Sequence, residues 1–402
     1  MIAPQQALDL ILRTVRPLRP AVLELGAARG ACLAEDIRAD RDLPPADRSA
    51  MDGYAVRAVD LAEAPRRLRL VGEVAAGSPA RPRVRPGTCV RILTGANVPP
   101  GADSVVMVEQ TEERGGLVTF KAPAEPGANI LRRAEDAARG ALLLGKGTRL
   151  GAMQVGVCAA VGKARVRVFR RPRVAVLATG AELRPPGARV RSHQSRNANG
   201  PMLRAALETW GYPDVDCGSA PDRLAALIVR LRRASAGHDV LLLTGGVSVG
   251  KYDFVRRAVE AIGGRVRFHG VAMKPGKPLL YATLAGNRHV FGLPGNPLSA
   301  MTGFYEFALP AIGRLAGAAA ECGWRLPAQL AAPLASKGGP VRFVLARVTW
   351  GPRGLAVEPV ESRSSADLVA AGRADGAIAV PAGVRALAAG AMVEFRPWRP
   401  LP

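Results

Sequence analysis

Histidine, cysteine and the aromatic residues are scarce in this sequence of 402 residues. It contains four histidines and five cysteines, and Phe, Trp and Tyr together make up 4% of the chain. The histidines and cysteines show no spacing typical of a zinc site, and no C-x-x-C pair occurs. The sequence therefore argues against a zinc enzyme. Its isolated cysteines are typical of reduced thiols in a cytoplasmic protein.

Long apolar runs are also missing. No run approaches the roughly 20 residues that a membrane-spanning helix needs. The stretch from Met1 to Val15 lacks a basic segment followed by an apolar one, so it does not resemble a signal peptide. We therefore expect no membrane partner.

Basic residues outnumber acidic ones, and the net charge is +23. Seven of the 56 basic residues are lysines, and the arginines are scattered along the chain rather than concentrated in one patch. With few aromatics and no recognisable nucleic-acid motif, the sequence predicts no specific nucleic-acid partner. The charge is suited to attracting polyphosphate-like substrates.

The pattern of apolar residues predicts an α/β protein of several domains. Apolar strands at Arg173–Thr179 and Val240–Leu243 alternate with helical patterns such as Leu224–Ala234, which favours a Rossmann-like α/β domain with a mostly parallel sheet. Short strands predict a β-rich domain before it and a small β-barrel after it, with a sandwich as the alternative. The predicted boundaries are 1–40 and 141–171 for an N-terminal helix and small α/β linker domain, 41–140 for the β-rich domain, 172–322 for the α/β domain, and 323–402 for the barrel.

Three Gly/Pro-rich turns dominate the stretch from Asp239 to Pro297. The first, Gly245-Gly246, lies between a predicted strand and a predicted helix, an arrangement that aims backbone N–H groups at an anion. The other two, Lys274–Pro278 and Gly292–Pro297, also adjoin predicted strands. Each turn alone could be structural, but the three together predict a site for a phosphate-bearing ligand.

The stretch Gly245–Tyr252 nearly matches the nucleotide-binding pattern G-x-x-x-x-G-K-[S/T]. Its last position is Tyr252, which lacks the small hydroxyl that would hold Mg²⁺ in that motif. We therefore reject a P-loop ATPase.

Three carboxylates follow predicted strand ends: Glu182, Asp222 and Asp253. Each alone could be a solvated acid or a helix cap. Together, beside glycine loops, they could hold Mg²⁺ against phosphate oxygens.

Taken together, the motifs resemble the MoeA family, the molybdopterin molybdenumtransferases, to which the E domain of gephyrin is related. In chain order they are S-A-M-D-G-Y-A from Ser49, T-G-A from Thr94, P-G-A-D from Pro100, the pair Glu135-Asp136, T-G-A-E-L from Thr179, G-G-V-S-V-G from Gly245, K-P-G-K-P from Lys274 and L-P-G-N-P from Leu293. The resemblance extends along nearly the whole chain and is weakest after residue 326.

The resemblance implies a reaction, cofactors and partners. Molybdate is inserted at the dithiolene of adenylylated molybdopterin, with Mg²⁺, and molybdenum cofactor and AMP are released. Family members are homodimers whose cleft lies between the α/β domain of one subunit and the β-rich domain of the other. Expected protein partners are a MogA-type molybdopterin adenylyltransferase and the molybdoenzymes or cofactor carriers that are supplied.

The resemblance also implies the site residues. The functional acids are Asp52, Asp136, Glu182, Asp222 and Asp253, of which Glu182 and Asp222 are also expected to bind the metal. The substrate-binding residues that it implies are Thr94, Lys274, Pro294, Pro297 and Ser365. The three turns themselves add Gly245, Gly246, Ser248, Gly250, Lys277 and Gly295 to the predicted substrate-binding residues. Ser364 is an alternative to Ser365, and Arg347 is a loosely aligned arginine of the C-terminal domain.

Four positions depart from the family pattern. Ala134 stands before the Glu-Asp pair, where the family often has glycine, and Leu131 stands where it often has arginine. Gly270 replaces a lysine of some members, and Lys251 replaces a residue that is usually acidic or small. These departures concern individual phosphate contacts and leave the reaction class unchanged. Two alternatives are a MogA-type adenylyltransferase, which is a single small domain, and a scaffold without catalytic activity. Residues 1–170 argue against the first, and the intact set of acids argues against the second.

Overall fold

The structure is a computed structural model that describes residues 1–220, 223–247, 254–318, 325–351 and 354–401. The chain forms two compact units. The larger unit contains Met1–Ala34, Gly147–Gly151 and Arg165–Pro402, and the smaller unit contains Glu35–Lys146 and Ala152–Ala164. The four domain boundaries given above stay a prediction.

The described elements agree closely with the predicted pattern. Strands of three or more residues are β1 (Pro20–Glu24), β2 (Gly53–Val56), β3 (Arg66–Val74), β4 (Thr88–Ile92), β5 (Ser104–Met107), β6 (Thr111–Arg114), β7 (Leu117–Phe120), β8 (Leu142–Leu144), β9 (Arg165–Phe169), β10 (Val174–Thr179), β11 (Val215–Ala220), β12 (Val240–Thr244), β13 (Arg265–His269), β14 (Leu280–Leu284), β15 (Arg288–Leu293), β16 (Leu326–Leu330), β17 (Val341–Gly351), β18 (Gly354–Pro359), β19 (Gly376–Val380) and β20 (Met392–Pro397). The α-helices are α1 (Pro4–Thr14), α2 (Ala152–Ala160), α3 (Asn199–Thr209), α4 (Leu224–Gly237), α5 (Phe254–Ala261), α6 (Pro297–Gly303), α7 (Leu309–Leu315) and α8 (Leu368–Ala371), and a π-helical turn, Phe304–Ala308, joins α6 to α7. In the described part of the chain, no helix combines the length and apolar character that crossing a bilayer requires.

The larger unit is built around a six-stranded sheet in the order β11-β10-β12-β15-β14-β13. The first four strands are parallel, and β14 and β13 complete the sheet in antiparallel pairings. Every residue of β10 and β12 is buried, because helices cover both faces. The predicted α/β fold with a mostly parallel sheet is confirmed.

Alternate residues along the strands supply two separate cores. Val174 and Val176 of β10 pack with α1, α3, α6 and α7, whereas Ala175 and Leu177 pack with α4 and α5. This alternation follows from the two-residue period of a strand. Helix α6 begins at Pro297, because proline suits the first turn of a helix, where no intrahelical N–H bond is made.

The C-terminal strands form a closed barrel in the order β17-β18-β16-β20-β19, with β19 returning to pair with β17. Its interior contains fully buried apolar side chains such as Val357, Ile378 and Phe395. The barrel is confirmed and the sandwich alternative is not. A two-residue strand from the preceding α/β region, Met273–Lys274, extends this sheet by pairing in parallel with β17.

The smaller unit contains a second six-stranded sheet, in the order β5-β2-β4-β3-β7-β6. Tyr54 and Phe120 pack edge to face in its core, with ring centroids 6.0 Å apart. Gly115 and Gly116 form the turn between β6 and β7, and both have positive φ angles, which hairpin turns of this length require. This sheet confirms the predicted β-rich region.

A buried histidine links the central sheet to the C-terminal end of α1. His289 on β15 is 1% exposed, and its Nδ1 lies 3.0 Å from the Tyr281 hydroxyl, which in turn lies 2.6 Å from Oγ1 of Thr14. Asn287 continues this link by donating a hydrogen bond from Nδ2 to the Arg16 carbonyl oxygen. Burial lowers the pKa of His289 from its ordinary 6.5 to about 4, so the imidazole is neutral in the folded protein.

The depressed pKa of His289 predicts loss of stability in mild acid. Between pH 6.5 and about 4 the unfolded chain binds a proton that the folded chain does not, so stability falls as the pH falls through this window. We expect His289→Gln to reduce the difference in unfolding free energy between pH 7 and pH 5 by about 2 kcal/mol, as measured by urea titration. His193→Gln, at an exposed histidine, is the control and should leave the difference unchanged. An equal pH dependence of the unfolding free energy in both variants would contradict its assignment to His289.

Candidate functional site

The order of the parallel strands creates a crevice at their carboxyl ends. The chain passes from β10 through α3 to β11 on one side, and from β11 through α4 to β12 on the other side of β10. The direction of winding therefore reverses between β10 and β12, and α/β sheets bind ligands at such a reversal. Thr179 and Thr244 end these two strands.

The glycine turn after β12 lies against the end of β10. A Cβ at residue 245 would lie 2.5 Å from the carbonyl oxygen of Thr179, and Gly245 has a φ of +90°. At Gly246, with a φ of +64°, a Cβ would lie 3.2 Å from Oγ1 of Thr179. The approach at residue 245 requires glycine, and both Gly245 and Gly246 lie at the crevice. Ser248, Gly250 and Asp253 lie outside the described residues.

The L-P-G-N-P loop lies beside the same glycine turn. The backbone N–H of Gly245 donates a hydrogen bond to the carbonyl oxygen of Leu293 at 3.1 Å. A Cβ at Gly295 would lie 3.5 Å from the Cα of Gly245. Pro294 is buried, and Pro297 begins α6. The loop is therefore fixed at both ends next to the crevice.

The segment before α8 contributes one serine to this loop. Asn296 donates a hydrogen bond from Nδ2 to Oγ of Ser365 at 2.7 Å, and the N–H of Leu298 donates to the Ser365 carbonyl oxygen at 3.1 Å. The hydroxyl of Ser364 instead accepts a local hydrogen bond from the N–H of Ala366 at 3.2 Å. Of the two serines, Ser365 contacts the L-P-G-N-P loop.

The K-P-G-K-P turn is held between α6 and the barrel. Gly276 is buried with a φ of +103°, and a Cβ there would lie 2.5 Å from Cε of Met273 and 3.5 Å from the carbonyl oxygen of Ser299. The side chains of Lys274 and Lys277 are exposed at the two ends of this turn. The three predicted turns thus lie on contacting elements of the larger unit.

The barrel places an arginine that sequence reasoning missed beside Lys274. Lys274 pairs in register with Arg342 on β17. The arginine suggested by the resemblance, Arg347, lies five residues further along β17 and forms an ion pair with Glu358 at 2.7 Å. No motif marks Arg342, since only the pairing register of a two-residue strand brings it to the turn.

Glu182 lies directly after β10, at the crevice. Its carboxylate folds back over Gly180, where a Cβ would lie 2.6 Å from one carboxylate oxygen and 2.7 Å from the other. The side chain is otherwise exposed. Its expected metal-binding partner, Asp222, lies outside the described residues. Among the residues that are described, no three His, Cys, Asp or Glu side chains converge on a metal position.

In the smaller unit, two of the motifs meet. One carboxylate oxygen of Asp52 accepts hydrogen bonds from Oγ1 of Thr94 at 2.6 Å and from its backbone N–H at 2.7 Å. These two hydrogen bonds, and then the charge of Arg91, lower the pKa of Asp52. Gly53 is required next to it, because a Cβ would lie 2.0 Å from the carbonyl oxygen of Val106. Asp52 is therefore held as an exposed carboxylate.

Asp136 lies on a separate loop of the smaller unit. Its N–H donates to the Leu43 carbonyl oxygen at 2.9 Å, and its side chain is exposed. Ala134, where the family pattern has glycine, has a φ of +61°. This left-handed conformation costs a non-glycine residue about 1–2 kcal/mol, which is a physical reason for glycine at this position. Gly270, another departure, has a φ of +98°, which likewise favours glycine over the lysine of some members.

Comparisons with known proteins cover both units. The MoeA N-terminal region (domain I and II) matches residues 2–162, a probable molybdopterin binding domain matches residues 175–314, and the MoeA C-terminal region (domain IV) matches residues 327–398. The molybdopterin molybdenumtransferase of Staphylococcus aureus (strain MSSA476) is 34% identical over 398 residues, which cover 98% of this chain and 95% of the relative. That of Staphylococcus epidermidis (strain ATCC 12228 / FDA PCI 1200) is 32% identical, with 98% and 94% covered.

Solved structures of MoeA proteins also match this chain. The MoeA protein of Pyrococcus horikoshii OT3 matches with a TM-score of 0.84 at 28% identity, covering 98% of this chain and 99% of that one. A second structure of a MoeA protein from the same genus matches with a TM-score of 0.81 at 31% identity, covering 100% of both chains. Fold and relatives define a transferase of molybdenum cofactor biosynthesis. The chain belongs to the MoeA family of molybdopterin molybdenumtransferases, which confirms the resemblance seen in its motifs.

Proposed function

We propose that this chain inserts molybdenum from molybdate into adenylylated molybdopterin. The two dithiolene thiols replace oxygen ligands of molybdate, which leave as water with the thiol protons. Water hydrolyses the phosphoanhydride, and AMP and molybdenum cofactor leave. The observation that carries the proposal is the close approach of the glycine turn and the L-P-G-N-P loop at the winding reversal of the sheet. Ser365 of the C-terminal region contacts that loop, and the K-P-G-K-P turn packs against α6, the helix that begins at the end of the loop. The matches at both ends of the chain favour this reaction over that of a single-domain adenylyltransferase.

The cations of the K-P-G-K-P turn are assigned to substrate anions. Lys274 and Lys277 are exposed on a turn that α6 and the barrel hold in place, and Arg342 is paired in register with Lys274. Charged donors form the stronger hydrogen bonds to phosphate and similar oxyanions. We assign this cluster to the phosphate of molybdopterin or to molybdate.

Magnesium is part of the proposal, with Glu182 as its described ligand and Asp222 as the second. Carboxylates at the end of a strand beside phosphate oxygens are the usual way in which Mg²⁺ is held. The described residues alone do not assemble such a site. The ion is therefore assigned no step beyond charge neutralisation of the phosphates.

The decisive experiment incubates the purified chain with adenylylated molybdopterin, Mg²⁺ and molybdate and follows AMP by chromatography. We expect AMP release that depends on molybdate. A parallel incubation with molybdopterin and ATP tests the alternative, because an adenylyltransferase would form the adenylylated product there. Activity in the second mixture and none in the first would overturn the proposal.

Removing the charge of Lys274 should weaken substrate binding without unfolding the protein. Loss of one charge-assisted hydrogen bond costs about 1.5–3 kcal/mol, so Lys274→Ala should raise the Kd for molybdopterin roughly ten- to a hundred-fold. Arg204→Ala is the control, since Arg204 is an exposed cation of α3 that pairs with Glu208 and belongs to none of the predicted site residues. Calorimetry should show its Kd unchanged. An unaltered Kd in Lys274→Ala would remove this turn from the site.

Replacing Glu182 by its neutral isostere should reduce turnover far more than substrate binding. Glu182→Gln keeps the shape of the side chain over Gly180 but removes the charge that attracts a metal. We expect AMP release to fall by at least about a hundred-fold, a typical loss for a catalytic charged group, while bound substrate changes only a few-fold. Both quantities are measured across a magnesium titration. Normal turnover at low magnesium, or parallel loss of binding and turnover, would exclude the assigned role.

We also propose that the chain acts as a homodimer in the cytoplasm. None of the four cysteines that the structure describes forms a disulfide, which supports a reducing compartment. Helix α2 contains no charged residue, and of its nine residues only Cys158 is buried; Met153 is 78% exposed. Such an uncharged exposed helix supports contact with a second subunit. A MogA-type adenylyltransferase as supplier and molybdoenzymes as recipients complete the proposed set of partners.

A cleft shared between subunits predicts complementation. Asp52→Ala alters the smaller unit and Glu182→Gln the larger one, so mixed dimers would hold one intact site and one doubly altered site. Random exchange into two-fold dimers should restore about a quarter of wild-type AMP release. Exchange is verified by native mass spectrometry of differently tagged chains. Mixed dimers that form without regaining activity would show that both residues serve the same chain's site.

A further inference from the structure

Asn199 is a buried polar residue at the start of α3, and no motif considered above includes it. Its side chain is 8% exposed, and Nδ2 donates a hydrogen bond to the carbonyl oxygen of Gly295 at 2.7 Å. Gly295 is the central residue of the L-P-G-N-P loop. The contact therefore joins a rigid helix to a loop of the proposed substrate site.

The other polar atom of the Asn199 side chain, Oδ1, has no hydrogen-bond partner among the described residues. This oxygen is buried. A buried acceptor without a donor costs about 1–3 kcal/mol. A leucine of similar size would avoid that cost but could not donate to Gly295, and an aspartate would direct a carboxylate at the carbonyl oxygen. The retained amide indicates that the hydrogen bond to Gly295 has a use other than stability.

The hydrogen bond affects more than one loop. Gly295 lies between Asn199 and Gly245. Asn199 donates a hydrogen bond to the carbonyl oxygen of Gly295, and a Cβ at residue 295 would lie 3.5 Å from the Cα of Gly245. The same glycine turn donates from the N–H of Gly245 to the carbonyl oxygen of Leu293. Fixing the Gly295 carbonyl therefore also fixes the distance between the L-P-G-N-P loop and the glycine turn at the crevice.

We propose that Asn199 is a positioning residue that holds these two loops in the conformation that binds substrate. This inference rests on the proposed function, because the ligand is taken to be adenylylated molybdopterin. Asn199 acts through Gly295 and is assigned no contact with the reacting atoms.

The test compares three variants of the full-length protein. Asn199→Leu removes both the donor and the orphan acceptor, and Asn199→Asp keeps the shape but removes the donor. Asn197→Ala is the matched control, since Oδ1 of Asn197 accepts a hydrogen bond from the N–H of Gly200 at 3.0 Å but Asn197 makes no described contact with the loop. For each protein we would measure the Tm, the Kd for adenylylated molybdopterin by calorimetry, and the kcat and KM of AMP release.

A positioning role predicts a distinct combination of changes in Tm, Kd and KM among the three variants. Asn199→Leu should keep or raise the Tm and yet raise the Kd and KM roughly tenfold, the value of one hydrogen bond of about 1.4 kcal/mol. Asn199→Asp should bind at least as weakly despite its shape. Asn197→Ala should lower the Tm while its Kd stays within about two-fold of the wild-type value, because the remaining loop contacts are intact.

Two results would overturn the inference: wild-type affinity in Asn199→Asp, or a loss of affinity in Asn199→Leu that matches its loss of Tm. Both leave the proposed function standing, since the wild-type protein still binds and turns over. If the wild-type protein binds no adenylylated molybdopterin, the proposed function fails and this inference fails with it.

Discussion

The close approach of two strand ends is the constraint on which the site depends. The turn after β12 lies against the end of β10 so tightly that a Cβ at Gly245 would lie 2.5 Å from the Thr179 carbonyl oxygen. The absence of a side chain there lets the backbone itself line the crevice, which a phosphate can then approach. The L-P-G-N-P loop and Asn199 are arranged around this contact. Backbone atoms therefore shape the crevice, and charged side chains are arranged around it.

The barrel has a direct part in building the site of the larger unit. Strand pairing with β17 fixes the Lys274 end of the cationic turn, and Ser365 accepts from Asn296 of the neighbouring loop. Both contacts use backbone or short polar groups, which lose little conformational entropy when they are ordered. Functional groups that are held by regular elements keep their geometry better than groups on free loops. The C-terminal region is thus a structural part of the ligand site.

Two residues, one in each unit, lower stability rather than raise it. The orphan Oδ1 of Asn199 and the left-handed conformation of Ala134 each cost free energy that better-suited residues would save. Such departures from local optimality are concentrated where function imposes a second requirement. Asp52 and Thr94 of the smaller unit show the opposite case, since they satisfy each other with two short hydrogen bonds while the carboxylate stays exposed.

Local sequence patterns were enough to predict the helices and strands, the family and most of the loop residues proposed for the site. The strand β12, the glycine turn and the helix beyond it follow from apolar periodicity and from the special backbone freedom of glycine, both of which depend on neighbouring residues only. The motif order alone identified the MoeA family. Tertiary structure was needed for every contact set by register or by a distant element: Arg342 beside Lys274, Ser365 rather than Ser364 at Asn296, and Asn199 at Gly295. These pairs lie 68, 69 and 96 residues apart in the sequence, and a hydrogen bond between such distant residues depends on how the whole unit packs.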